Sequence, residues 1–285
     1  MLITEDKNMK LGVLVHLTSD ADATFKQVAD LGLDNCQLAC WDENKMTDAM
    51  AKEIKAATKK YGIEISAFWC GWSGPNIWDF YSGPLTLGIV PTAFREMRCA
   101  ELKRGSDFAA KLGVRDVITH LGFLPEIPLS EEFPKIVEAV KDLALHMKKN
   151  GQRFLFETGQ ETPVTLKRLI SDVATGNLGI NLDPANLIMY GKANPVDALD
   201  VFGEYVMGVH AKDGKYPTSS RSLGKETRIG EGKVNFPEFI KKLKEKGYDG
   251  PLSIEREISG EQQRADILES MNYLNGIIGG LENEA

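Results

Sequence analysis

The sequence predicts an α/β fold closed into a parallel eight-stranded (β/α)8 TIM barrel, and three observations predict it. Short apolar runs alternate with longer amphipathic segments from end to end, the order that builds a parallel sheet with helices packed on it. Eight such strand–helix repeats fit within 285 residues, which matches a closed barrel. The turn after the first strand, "HLTSDAD", is not the glycine-rich phosphate turn that an open doubly wound sheet normally carries there. Residues 1–285 are therefore read as one barrel domain, with no Pro/Gly/Ser linker to divide them.

The elements follow in order. "LGVLVHL" (11–17) reads as the first strand, and "ADATFKQVADLG" as a helix stopped by Gly32. "LDNCQLAC" (33–40) is the second strand; "MTDAMAKEIKAATKKYG" follows as a helix with apolar spacings of three and four that ends at Gly62. "IEISAFWC" (63–70) alternates as a third strand, a long helix covers about 92–112, and "VRDVITHLG" (114–122) is the fourth strand. In the second half, the strands are "QRFLFE", "NLGINLD", "YVMGVHAKD" and "PLSIERE", each followed by a helical segment. Two connections exceed ordinary βα loop length, 71–92 and 214–234. Both follow strands, so both belong to the C-terminal face, where barrels of this kind build their active sites.

Composition narrows the function classes. A formal net charge of −7 and a pI near 5.3 disfavour nonspecific nucleic-acid binding, which needs clustered Lys and Arg. The opening "MLITEDKNMKLGVLVHLTSD" does not resemble a secretion signal, and no run reaches the roughly 18 apolar residues of a membrane span. A cytoplasmic location with no membrane partner is expected. Cys36, Cys40, Cys70 and Cys99 form no C-x-x-C pair and do not suggest a disulfide framework, and Cys36 and Cys40 read as core or near-core thiols.

Four polar residues close apolar runs on consecutive strands: Glu157 in "FLFETGQET", Asp183 in "GINLDPANL", His210 in "MGVHAKD" and Glu255 in "LSIEREI". Four neighbouring strand ends converge on one spot near a barrel axis. Three carboxylates and an imidazole there would repel one another without a cation, and a divalent metal ion resolves the conflict. An oxygen-rich set with one nitrogen suits Mn2+ first, with Mg2+, Co2+ or Zn2+ as alternatives.

The segments "FETGQE", "NLDPANL", "HAKD" and "SIERE" resemble the xylose isomerase-like superfamily, in its sugar phosphate isomerase/epimerase branch, over essentially the whole chain. The resemblance implies that Glu157 and Glu255 both hold the metal and act as the acid–base pair, with Asp183 and His210 completing the shell. The implied chemistry is proton removal beside a metal-polarised carbonyl of a small carbohydrate. Return of the proton to the same carbon gives epimerisation, and return to its neighbour gives aldose–ketose isomerisation. Loss of a β-hydroxyl gives dehydration of a polyol ketone, the alternative activity. A sugar-binding barrel without turnover and a DNA-repair endonuclease are the remaining readings. The sequence departs from related ketose 3-epimerases at Asn186, where those often carry histidine. Relatives are commonly oligomeric, so a homo-oligomer is an expectation by analogy.

Further candidates line the same mouth. His16 and His120 end the first and fourth strands, where they could contact sugar hydroxyls or simply bond neighbouring loops. Trp69, Trp72 and Trp78 cluster about the first long connection, where an aromatic face could stack on a sugar ring. Asn186 joins the substrate-binding set. Lys212 shares the inward face of His210 and either neutralises a substrate oxyanion or phosphate or pairs with Glu157, Glu255 or Glu257. Arg221, Lys225, Arg228 and Lys233 populate the second long connection, with Arg228 the candidate for substrate contact if that loop forms a basic lid. Glu161 is equally well explained by proximity to substrate or by the start of the following helix.

Overall fold

Apolar runs too short for helices find their hydrogen-bond partners in one another. In the computed structural model, which describes residues 9–283, eight of them close into a barrel. The barrel strands are β1 (Leu11–His16), β2 (Asn35–Cys40), β3 (Glu64–Cys70), β4 (Asp116–Thr119), β5 (Arg153–Glu157), β6 (Leu178–Leu182), β7 (Val206–Ala211) and β10 (Leu252–Ile254). All neighbours are parallel, and β1 closes the ring against β10. A separate antiparallel pair, β8 (Asp213–Lys215) with β9 (Lys225–Thr227), lies between β7 and the eighth barrel strand. The first eight residues of the stretch read for a secretion signal, and the last two of the chain, lie outside the described residues.

The helices are α1 (Ala21–Asp30), α2 (Asp48–Tyr61), α3 (Gly83–Thr86), α4 (Thr92–Leu112), α5 (Glu132–Lys149), α6 (Pro163–Val173), α7 (Pro184–Met189), α8 (Pro195–Phe202), α9 (Phe236–Glu245) and α10 (Glu261–Asn283). Side-chain caps start several of them: Asp20 accepts from the Ala23 amide, and Thr47 from the Met50 amide. Gly62 and Gly113 end α2 and α4 in the left-handed conformation. Among the described residues no helix is long and apolar enough to cross a membrane.

Two apolar cores result. The larger lies between strands and helices, and a small one of Ala39, Ala67, Trp69, Ile118 and Leu155 fills the barrel interior. That interior is narrow. A Cβ on Gly179 would lie 2.6 Å from both Leu155 Cδ2 and Met207 Sδ, so only glycine fits opposite them.

Three departures from the sequence reading bear on the site. β4 is shorter than 114–122, which leaves His120 one residue beyond it. Asp183 is the side-chain cap of α7, a six-residue helix too short and too uniformly apolar to show a helical period. The connection 214–234 contains the β8–β9 hairpin and is pinned by Asp213. Its carboxylate accepts from the amides of Gly214, Gly230, Gly232 and Val234 at 2.8–3.1 Å. A Cβ on Gly232 would sit 2.0 Å from Asp213 Oδ1, so the "RIGEG" turn needs a glycine there to approach that carboxylate.

Candidate active site and metal centre

Parallel strands present every second side chain to the barrel axis, and the inward positions become polar at the C-terminal end. Glu157 is the last residue of β5, Asp183 follows β6, His210 lies in β7, and Glu255 follows β10. One ligand atom from each lies within 4.8 Å of those of the other three. His210 Nδ1 is central, 3.2 Å from Glu157 Oε1, 3.1 Å from Glu255 Oε2 and 3.9 Å from Asp183 Oδ2. The sequence-predicted quartet therefore shares one point.

The surroundings fit a divalent cation. Asp183 is fully buried; its Oδ1 accepts from the Asn186 amide, whereas Oδ2 faces the cluster with no hydrogen bond and only the Lys212 ammonium 3.6 Å away. A buried carboxylate oxygen without a donor is costly, and a cation satisfies it. Three carboxylates and one imidazole make a suitable oxygen-rich donor set.

Neighbouring side chains fix the quartet. Glu157 Oε2 accepts a hydrogen bond from Trp69 Nε1, and Oε1 accepts one from Asn186 Nδ2 at 3.3 Å. His120 Nε2 lies 3.4 Å from the same Oε1. Burial alone would raise the Glu157 carboxyl, but the imidazoles of His120 and His210 outweigh it and hold Glu157 well below the usual carboxylate range. Burial likewise opposes ionisation of Glu255, yet Lys212 and His210 bring it down to about 2. Asp183 moves the other way, because burial exceeds the help it receives from Lys212.

Lys212 is buried among Glu257 (2.9 Å), Glu255 (3.3 Å) and Asp183 (3.6 Å). Its charge is thus committed to three carboxylates, the pairing foreseen as its alternative role. Despite its burial, those carboxylates keep it charged well beyond the ordinary lysine range.

Above the quartet opens a cavity of about 340 Å3 lined by His16, Trp69, His120, Glu157, Asn186 and Glu255 among the sequence candidates. Trp41, Trp78 and Tyr190 supply much of its remaining wall, and Glu257 reaches its rim. Trp72 is buried behind, stacked on Trp78 at 6.2 Å between ring centroids. Arg228 does not line the cavity: it pairs with Glu231 at 2.6 Å and with Glu269 of α10. Those two carboxylates occupy the guanidinium that the sequence offered to substrate.

Trp41 and Tyr190 escaped the sequence reading. Trp41 falls one residue after β2, and Tyr190 ends α7, a helix with no visible period. Alternation along β2 from Gln37 through Ala39 to Trp41 was the available signal for the first.

Glu161 is buried before α6, and its Oε1 has no hydrogen-bond partner. Burial pushes its carboxyl from 4.5 up to about 7. A raised acid pKa means that the folded chain binds more protons than the unfolded chain between those values, so stability falls as pH rises through that window. On these grounds the wild type should lose roughly 2–3 kcal/mol between pH 4.5 and 7.5 through this group. Glu161→Gln should remove that part of the slope. Urea denaturation across this range checks it, and parallel pH profiles for the two proteins would refute it.

The family model described as "Xylose isomerase-like TIM barrel" matches residues 25–277. The chain belongs to the xylose isomerase-like TIM barrel family. A xylose isomerase domain protein from Planctomyces limnophilus is 33% identical and superposes with a TM-score of 0.92, covering 97% of this chain and 99% of that one. An uncharacterized protein from Methanocaldococcus jannaschii is 26% identical over 262 residues, 87% of this chain and 84% of its own length. A D-tagatose 3-epimerase-like protein shares the fold at 22% identity with a TM-score of 0.75, covering 97% of this chain and 99% of that one.

Proposed function

We propose that this family member is a divalent-metal-dependent isomerase or epimerase of a small carbohydrate, with Glu157 and Glu255 as its proton-transfer pair. One observation carries the reading. Of the four clustered residues, the two glutamates line the cavity, whereas Asp183 and His210 are sealed beneath it. Asp183 and His210 can only hold; Glu157 and Glu255 can both hold and reach a substrate.

A cation held by Glu157, Asp183, His210 and Glu255 would stabilise negative charge developing on a carbonyl oxygen during proton abstraction. The chain supplies the rest. The two glutamates approach from β5 and β10, either side of His210, so one takes the proton from carbon while the other returns it. Trp69 and Asn186 fix the Glu157 carboxylate through both of its oxygens. Trp41, Trp69 and Trp78 offer faces to the apolar side of a sugar ring and keep water from the reacting carbon, while His16 and His120 offer nitrogens to hydroxyls.

A panel of ketoses, aldoses, inososes and their phosphates, incubated with Mn2+ in D2O, tests the reading. The expected result is solvent deuterium in one substrate class with no change of mass beyond the exchange. Loss of water would instead identify the dehydratase activity. No exchange and no product across the panel would count against both.

A further inference from the structure

The four ligands do not account for how His210 keeps the correct nitrogen toward them. His210 is fully buried in β7, and its Nδ1 faces Glu157, Glu255 and Asp183. Its Nε2 points the other way, across the barrel axis, and lies 2.7 Å from Gln37 Oε1. Gln37 stands on β2, on the opposite wall, and is itself buried. Its own Nε2 donates to Asn181 Oδ1 of β6 at 3.0 Å. Asn181 is fully buried too.

We infer that Gln37 is a positioning residue of the metal centre, one that selects the His210 tautomer in which Nε2 carries the proton and Nδ1 offers its lone pair to the cation. The inference rests on the reading of the quartet as a metal site. An amide oxygen only accepts, so an oxygen 2.7 Å from Nε2 requires a proton on that nitrogen. In the neutral ring this leaves Nδ1 bare, as a metal ligand must be. The opposite placement of the Gln37 amide would set an N–H group against Nε2 and put the imidazole proton on Nδ1, where the cation belongs.

Asn181 locks the choice. Gln37 Nε2 can donate only if Asn181 turns its oxygen toward it, and the structure has that arrangement at the cost of leaving Asn181 Nδ2 without a partner. The chain His210–Gln37–Asn181 thus runs from the quartet into the barrel interior across three strands. Beneath it lies a second cavity of about 290 Å3, reaching from the N-terminal mouth to Gln37 and lined also by Leu155, Met207 and Gly208. Gln37 therefore separates the metal cluster from a space large enough for water. A truncated side chain would admit water in place of the amide, so the test needs a replacement that fills its volume.

Gln37→Met keeps the volume and removes the acceptor; Gln37→Glu keeps an acceptor, and the unpartnered Asn181 Nδ2 can turn to meet it. Calorimetric titration with Mn2+ should show binding roughly 10- to 100-fold weaker in Gln37→Met and at least as tight as wild type in Gln37→Glu. Zn2+-loaded wild-type protein labelled with 15N-histidine should show the His210 proton on Nε2 and none on Nδ1, a readout that needs no folded variant. Wild-type affinity in Gln37→Met, affinity in Gln37→Glu as weak as in Gln37→Met, a proton on Nδ1, or a wild type that binds no metal would each overturn the inference. Metal bound as expected but no deuterium exchange with any sugar would overturn the proposed activity and leave the role of Gln37 standing.

Discussion

Glu157→Gln should lower solvent-deuterium exchange into substrate by at least about a thousandfold, and Glu255→Gln should do the same. Each glutamate is asked to hold the cation and to move a proton, and an amide does neither well. The Glu157 site is also built for an anion. Trp69 Nε1 donates to one oxygen of this carboxylate and Asn186 Nδ2 to the other. A glutamine there must turn an N–H group toward other donors, so metal affinity should fall together with turnover. Glu255→Gln leaves Lys212 paired with Glu257 and Asp183, and should cost less in metal affinity than Glu157→Gln. The measurement is exchange by proton NMR, with Mn2+ titration and far-ultraviolet circular dichroism to confirm that the variants fold. Exchange near the wild-type rate in both variants would remove the glutamates from catalysis.

The quartet was legible because each member ends an apolar run. A carboxylate after Phe-Leu-Phe, Ile-Asn-Leu or Leu-Ser-Ile, or an imidazole after Met-Gly-Val, stands out locally, and the eight-fold repeat supplies the convergence that the local signal lacks. What was missed depends on partners distant in sequence. Gln37 looks like one polar residue in the mixed run "NCQLAC"; its meaning appears only when β7 and β6 are placed opposite it. Arg228 looks available in its loop until α10 brings Glu269 against it. Glu161 looks in the sequence like a helix-start carboxylate or a substrate contact, and packing buries it with one oxygen unpartnered. Its raised pKa follows from that burial, which periodicity does not report. The hairpin β8–β9 was invisible because three-residue strands carry too little alternation to register.

A large stability effect should come from Arg98, outside the candidate metal centre. "MRCAEL" in α4 reads as an ordinary half-polar helix, yet the arginine is completely buried. Its Nε donates to the Ser73 carbonyl at 3.1 Å, Nη1 to those of Thr86 (2.7 Å) and Gly88 (2.6 Å), and Nη2 to that of Pro75 (2.8 Å). The guanidinium plane also lies 4.5 Å from the Trp72 ring centroid and 4.7 Å from that of Phe94. One side chain thus satisfies four backbone acceptors of the connection 71–91, which has little regular structure to satisfy them itself. The same connection carries Trp72 and Trp78, and Trp78 meets His120 at 5.2 Å on the cavity wall. Arg98→Met would keep the packing volume and strand those carbonyls in the interior, at an expected cost of about 3–5 kcal/mol. Arg98→Lys should recover only part of this, because an ammonium has three donors and no plane to stack on Trp72. Urea denaturation of the three proteins measures the effect, and a loss below about 1 kcal/mol in Arg98→Met would contradict it. Since Arg98 touches none of the four clustered residues, Mn2+ affinity should survive in the folded variant while KM for substrate rises through displacement of Trp78. That split separates the scaffold of the cavity wall from the candidate metal centre it overhangs.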